Sequence, residues 1–307
     1  MAVARSRVVD FRAELQALVD QIPAGRFAGC GDLARALGDA RAASAVCRVL
    51  RTGGFAGADR VVTADGRPVL EVGRTTAKPS VSFTGFRSDA PLARLRNEQR
   101  ALAAQVSRRN GFQKVRTVGG VDIAYGDGRG FASLVVVDAR DGSIEAEVLA
   151  SLDVDFPYIP TYLAYRELPL IEAAFHRLSE PPTILLVDGH GQLHPARCGV
   201  ACMAGIRLDE PTIGVAKSPL VGTADRRPKV GEAVPVRYDG AILGYAMRTG
   251  ASLRPLFVST GHRVAPRTAV RIVRTLCRTR LPEPLRLADG HAKDWKRRTK
   301  EKSKSRF

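Results

Sequence analysis

The sequence predicts an α/β protein: a mixed sheet with flanking helices, preceded by a small, mainly helical helix-turn-helix domain. Three observations lead there. Residues 1–75 show helical spacing punctuated by Gly and Pro. Residues 117–152 hold three strand-like segments in quick succession. From residue 163 onward, helical stripes alternate with continuous apolar runs of the buried-strand type.

Taken in order, VVDFRAELQALVDQI (8–22) spaces Phe11, Leu15, Leu18 and Ile22 as one helical face, and Pro23 and Gly25 stop it. DLARALG and ARAASAVCRVLR follow, joined at Gly38-Asp39. Two short helices around a Gly-containing turn predict a helix-turn-helix. RVVTADGRPVL predicts a hairpin turned at Asp65-Gly66. Residues 74–90 have no period and read as a linker, with the domain boundary at 76–90. Residues 91–109 form a basic amphipathic helix. Strands at 117–125, 131–138 and 145–152 predict an antiparallel meander. The stripe Ala164, Leu168, Ile171, Phe175, Leu178 predicts a helix with Pro169 in its first turn, where a missing N–H costs nothing. TILLVD, a small-residue helix at 199–207, TIGVAK, a hairpin near Asp239-Gly240, PLFVST and a helix from Pro266 to Arg278 complete the domain, 91–292. Residues 293–307 read as a basic tail.

The 307 residues suit two domains, and 45% hydrophobic against 26% charged residues allow a real core. A net charge of +17 points to a polyanion, nucleic acid first, or to charge that only keeps the protein in solution. The excess is concentrated: residues 87–116 and 293–307 each carry eight basic and two acidic residues. The five cysteines, odd in number and scattered, argue against a disulfide framework, and Cys198 and Cys202 read as core thiols. The N-terminus lacks the apolar stretch of a signal peptide, and no run reaches the length of a membrane helix. A cytoplasmic protein with no membrane partner is expected.

Four acids carry the chemistry: Asp122 in VGGVDIAY, Glu167 in YRELP, Asp188 in ILLVDGHG and Asp289 in RLADG. Taken singly, each could be a turn, strand-end or surface acid. Asp122, Glu167 and Asp188 fall on successive core elements, and unpaired charge is costly to bury. If the first strand and ILLVD are neighbours, the acids converge, and carboxylates with waters suit Mg²⁺, with Mn²⁺ as the other candidate. Such a centre lowers the pKa of water and neutralises charge developing on phosphate, so a phosphodiester is the expected substrate. In PYIP (157–160) two prolines stiffen the chain around Tyr158, which could wedge into a base stack or simply pack on a loop. Gly189 and Gly191, in the loop GHGQLHP, let backbone amides approach a ligand. His194 in that loop, Lys217 ending TIGVAK, and His262 with Arg263 after PLFVST are further candidates, with surface roles open to each. A GxSxG elbow and the CxxC and HExxH zinc patterns are absent.

VGGVDIAY, PYIPTYLAYRELP, LLVDGHGQLHPARCGVA, PTIGVAKSPLVG, PLFVSTGHRV and LPEPLRLAD occur in one order across 91–292, and that segment resembles endonuclease V, the deoxyinosine-directed nuclease. The resemblance implies a ribonuclease H-like fold. It implies Asp122, Glu167 and Asp188 as metal-binding acids and Asp289 as the fourth acidic position. Lys217 and His194 would lie near the phosphate, Tyr158 would separate strands, and Gly189 and Gly191 would line a pocket for flipped hypoxanthine. Thr161, Leu163 and His262 complete the expected substrate-binding set. Thr161 stands where the family usually has Gly, and Ala196 follows His194-Pro195 where Arg is usual. The reaction implied is hydrolysis of the second phosphodiester 3′ to a deaminated base, leaving 3′-OH and 5′-phosphate. The expected partner is DNA with deaminated bases, with inosine-containing RNA as the alternative, and a monomer is expected; a non-catalytic DNA-binding protein is the remaining rival.

Residues 8–70 resemble the DNA-binding domain of O6-alkylguanine-DNA alkyltransferases, through FRAELQALVDQIPAGRFAGCGDLARALG, the helix ending RVLR, and ADRVV. Ala58 stands at the nucleophilic cysteine, so no alkyl transfer is expected. Arg41, Ser44, Arg48 and Arg51, on or near the second helix, are the expected DNA-binding residues.

Overall fold

The structure is a computed structural model that describes residues 9–70, 82–250 and 254–304, with side chains through Glu301. The described residues fall into two compact units. The first holds those up to Glu98 together with Asp155–Tyr162; the second holds Gln99–Val154 and those from Leu163 on.

In the first unit, α1 (Phe11–Val19) starts at Asp10, whose carboxylate accepts from the Ala13 amide at 3.0 Å, and buries Phe11, Leu15, Leu18 and Val19. Strand β1 (Ala28–Gly29) leads into α2 (Cys30–Ala36). A single 3₁₀ turn capped by Asp39 then opens α3 (Ala43–Arg51). Helix α3 buries Val46 and Leu50 and leaves Ser44, Arg48 and Arg51 exposed, at the spacing of one helical face. Strand β2 (Val61–Val62) pairs in parallel with β1, and the expected turn at Asp65-Gly66 closes with Thr63 N donating to Arg67 O at 2.8 Å.

Two expectations for this region are corrected. Cys30 and Cys47 form a disulfide between α2 and α3, with Cα atoms 5.8 Å apart. Sequence spacing could not show it, because helix packing brings the two positions together. The division between units lies within α4 (Pro91–Ala103), not in the linker at 76–90, whose first part lies outside the described residues. Segment Asp155–Tyr162 joins the first unit because its apolar side chains are buried there: Phe156 meets the Phe11 ring edge-on at 6.0 Å, and Ile159 and Tyr162 are enclosed.

The second unit is built on a nine-stranded mixed sheet. The meander β3 (Thr117–Gly126), β4 (Arg129–Asp138) and β5 (Ile144–Asp153) is antiparallel as expected. Helix α5 (Leu163–Phe175) crosses to β6 (Ile184–Asp188), which lies parallel to β3. Helix α6 (Val200–Leu208) leads to β7 (Thr212–Ala216), parallel to β6. Strands β8 (Thr223–Ala224), β9 (Ala233–Tyr238), β10 (Ala241–Met247) and β11 (Leu256–His262) extend the sheet antiparallel, β11 pairing with β7. Its order is β5-β4-β3-β6-β7-β11-β10-β9-β8. Helices α5 and α6 pack on one face; α7 (Pro266–Leu276) and α8 (Glu283–Lys304) pack on the other. Side chains on β3 and β6 alternate between the two cores: Val121, Leu185 and Val187 face α5 and α6, while Val118, Ile184 and Leu186 face α7 and α8.

Pro169 lies in the interior of α5 rather than its first turn, since the helix begins at Leu163. Its nitrogen cannot donate to the Tyr165 carbonyl, so packing of Leu168, Leu170 and Ile171 holds that turn together. The basic run 293–304 belongs to α8 instead of forming a tail, anchored where Trp295 meets Phe131 edge-on at 5.3 Å. Gly120 on β3 lets α8 approach, since a Cβ there would lie 2.4 Å from the Pro284 backbone.

Candidate active site

The pairing of Val121 with Val187 places Asp122 and Asp188, each one residue on, side by side at the carboxyl end of β6. Alternation turns both toward the α8 face. There α8 supplies Asp289, which shares a hydrogen bond with Asp122. Just beyond β7, Lys217 Nζ donates to Asp188 Oδ2 at 2.6 Å. Glu167 comes from α5, in its second turn, and accepts from Tyr125 Oη at 3.2 Å; the Arg166 guanidinium stacks 4.1 Å from the centre of the Tyr125 ring. Ser133, paired with Asp122 across β3 and β4, keeps its hydroxyl fully buried with no hydrogen-bond partner among the described residues.

The cluster is short of positive charge. Burial, then the Asp188 charge, then the hydrogen bond with Asp289 push the Asp122 carboxyl up to about 8. Burial and the Asp188 charge do the same to Glu167, also to about 8. Asp289 moves the other way: burial would raise it, but hydrogen bonds from Lys293 and Asp122 lower it. Burial would lower Lys217, and the Asp188 charge raises it instead. Lys217 offsets the Asp188 charge and Lys293 the Asp289 charge, and a further cation would relieve the cost of burying Asp122 and Glu167. The donors are all oxygen, with an orphaned hydroxyl beside them, which fits a hard divalent cation. Among the described residues no three His, Cys, Asp or Glu side chains yet converge on one coordination point; Lys217 holds Asp188 instead.

The other expected residues are distributed unevenly. Gly189 N donates to Val215 O at 3.1 Å and Gly191 N to Ser259 Oγ at 3.0 Å, so the loop after β6 is tied to β7 and β11. Gly191 is required there: a Cβ would fall 2.1 Å from Thr260 O. His194 is buried in that loop, its Nδ1 accepting from the Ala196 amide at 3.1 Å. His262 is not brought to the acids. Strand β11 runs antiparallel to β7, so His262 pairs with Thr212 at the opposite end of the sheet, four residues or roughly 13 Å along β7 from Ala216. It is buried there and accepts from the Ser107 amide at 3.3 Å. Leu163 is the first residue of α5. Tyr158 and Thr161 belong to the first unit, where Tyr158 is 49% exposed and Thr161 adopts φ 74°, a left-handed conformation that favours glycine. In the first unit Arg41 is engaged with Asp39 at 2.7 Å, leaving Ser44, Arg48 and Arg51 as the free face of α3. Sequence reading missed Tyr125, Arg166 and Ser133; only Ser133 carried a signal, as a lone hydroxyl in the apolar run FASLVVV.

Carboxylates side by side on neighbouring parallel strands, beside a lysine in a strongly basic chain, suit the class of metal-dependent phosphodiester hydrolases. A family model described as Endonuclease V matches residues 100–290. Endonuclease V of Thermofilum pendens is 44% identical over 204 residues, covering 66% of this chain and 87% of the relative. That of Roseiflexus castenholzii is 42% identical over 196 residues, covering 63% and 88%. The crystal structure of endonuclease V from Streptomyces avermitilis superposes with a TM-score of 0.63 at 35% identity, covering 72% of this chain and 97% of that one. The Ciona intestinalis enzyme, in complex with DNA containing an inosine followed by a ribo-adenosine, gives 0.59 at 27% identity, covering 70% and 99%. The chain belongs to the endonuclease V family and is an endonuclease. The family match begins at residue 100 and leaves the first unit outside it. Among the described residues no helix is long and apolar enough to cross a membrane.

Proposed function

We propose that this protein is a DNA repair endonuclease that nicks DNA at deaminated bases, deoxyinosine foremost, by hydrolysing the second phosphodiester 3′ to the lesion. The products would carry 3′-OH and 5′-phosphate ends. The observation that supports this reading is the side-by-side placement of Asp122 and Asp188, with Asp289 hydrogen-bonded to Asp122 and Glu167 near enough to feel the Asp188 charge, in a chain of this family. Asp122, Asp188 and Glu167 would hold Mg²⁺, or Mn²⁺, and a bound divalent cation lowers the pKa of water and offsets charge developing on the phosphate. Lys217 provides a point charge beside the scissile phosphate. Tyr158 fills the gap left by the extruded base, and the Gly189–Gly191 backbone lines the pocket that receives it.

In the first unit, the exposed face of Ser44, Arg48 and Arg51 supports a helix-turn-helix grip on DNA phosphates. The alkyltransferase-like reading of this unit rests on its two helices and on Ala58, buried where that family has its nucleophile; alkyl transfer is not expected. The protein would act as a cytoplasmic monomer. Inosine-containing RNA is the second reading, favoured by the ribo-adenosine that follows inosine in the Ciona intestinalis complex.

The test is one inosine-containing duplex, and its RNA counterpart, incubated with and without EDTA and resolved on a denaturing gel. Nicking should stop on chelation and return with Mg²⁺. Asp122→Ala and Asp188→Ala should abolish nicking while retaining part of the binding. Undiminished nicking in EDTA overturns the reading.

A further inference from the structure

The loop that carries Tyr158 is fastened to the first unit by a buried polar network. Tyr162 is fully buried, and its hydroxyl donates to Asp39 Oδ2 at 2.8 Å and accepts from Arg96 Nη2 at 2.9 Å. Asp39 is itself pinned. It accepts from the Arg41 amide at 3.0 Å and from the Arg41 guanidinium at 2.7 Å, and it pairs with Arg96. Burial would raise the Asp39 carboxyl, but the hydrogen bonds from Arg41 and Tyr162 hold it at about 2, so it stays ionised. At the other end of the loop Phe156 packs edge-on against Phe11, and Ile159 is buried between the two anchors. Tyr158, between Pro157 and Pro160, is the exposed aromatic of the loop.

We propose that Asp39 and Tyr162 are positioning residues that hold the Tyr158 loop rigid, so the first unit sets how well the enzyme acts on paired against unpaired strands. This rests on the reading of Tyr158 as a strand-separating wedge. A side chain can unstack bases only if its backbone resists displacement, because unstacking costs a few kcal/mol per step. An unsupported eight-residue loop would yield instead. Thr161 bears this out locally. A β-branched residue at φ 74° persists only where its surroundings over-determine it, and the next residue is the buried, doubly bonded Tyr162.

The experiment compares kcat/KM of the full-length protein on one inosine-containing sequence, presented as duplex and as single strand. Tyr158→Ala, the reference variant, should lower the duplex-to-single-strand ratio. Tyr162→Phe, which removes one oxygen, and Asp39→Asn, which removes the charge at constant size, should each lower the same ratio about ten-fold, as expected for loss of a buried, charge-assisted hydrogen bond. Melting curves verify that both variants fold. If Tyr158→Ala lowers the ratio and both anchor variants leave it unchanged, or lower both rates equally, the anchoring is refuted while the wedge stands. If Tyr158→Ala leaves the ratio unchanged, the wedge reading fails and the anchoring with it.

Discussion

Replacing Asp122 by Asn should make the metal-free protein more stable, and more so as pH rises. Asp122 is half-buried among acids, and its carboxyl is lifted from 3.8 to about 8. The folded-state value lies above the unfolded one, so the unfolded chain gives up the proton first, and stability falls as pH climbs from about 4 to about 8. At pH 7 roughly three units of that lift are titrated, on the order of 4 kcal/mol at 1.36 kcal/mol per unit; proton sharing with Asp289 lets neighbours absorb part of it, so about 2 kcal/mol is expected. Asn keeps the size and hydrogen bonding of Asp and loses the charge. The assay is urea unfolding in EDTA, followed by fluorescence of Trp295, the single tryptophan, which packs on Phe131 from the helix that bears Asp289. The variant should match wild type near pH 4 and exceed it by pH 7. Adding Mg²⁺ should raise the wild-type midpoint and barely move the variant's, because a ligand stabilises the state that binds it. Wild type and variant losing stability in parallel between pH 5 and pH 8 would refute the reasoning.

Three further outcomes follow from the same structure. Reducing the Cys30–Cys47 disulfide, or Cys47→Ser, should destabilise the first unit by about 3 kcal/mol, the value for a loop of 17 residues, read as earlier loss of amide protection in α2 and α3 by hydrogen exchange. Lys217→Ala should cut single-turnover nicking by about 10²-fold or more, the usual loss when charge stabilisation at a transition state is removed, while His262→Ala, at the far end of the sheet, should lower stability and leave the chemical step intact. Thr161→Gly should raise the melting temperature of the first unit by relieving about 1–2 kcal/mol of left-handed strain; no gain would show that the conformation is not strained.

The placement of Asp122 beside Asp188 was legible because one interrupts an apolar strand and the other ends one, and parallel pairing of those two strands sets them together. Asp122 and Asp188 needed only that neighbourhood, which the order of strands and helices suggested. His262 failed the same reasoning for a definite cause. A strand end can lie at either edge of a sheet, and polarity is set by the connection that precedes it; the hairpin β9–β10 reverses the chain before β11 and carries His262 away. Pro169 was misplaced because its local preference for a first turn was weaker than the packing of Leu168, Leu170 and Ile171. The disulfide, and the allegiance of Asp155–Tyr162, were illegible for one reason: both depend on which distant side chains share a core, as Phe11 and Phe156 do across 145 positions.

That last contact changes how the two-part chain is understood. A helix-turn-helix module joined by a linker would add affinity by tethering, with little say over the chemistry. Here the first unit has taken in eight residues that sequence order assigns to the nuclease, among them the exposed aromatic best suited to part a duplex. Those residues are held by an ionised, buried aspartate and a buried tyrosine, groups that are costly to bury unless each is satisfied, and here each is. On the proposed reading, gripping DNA and opening it would share one fold unit. Loss of the Arg48 and Arg51 charges should weaken binding to all substrates alike, whereas loss of the Asp39–Tyr162 bond should weaken action on duplex alone. The two classes of variant separate a grip from a lever, and a simple tether predicts no such separation.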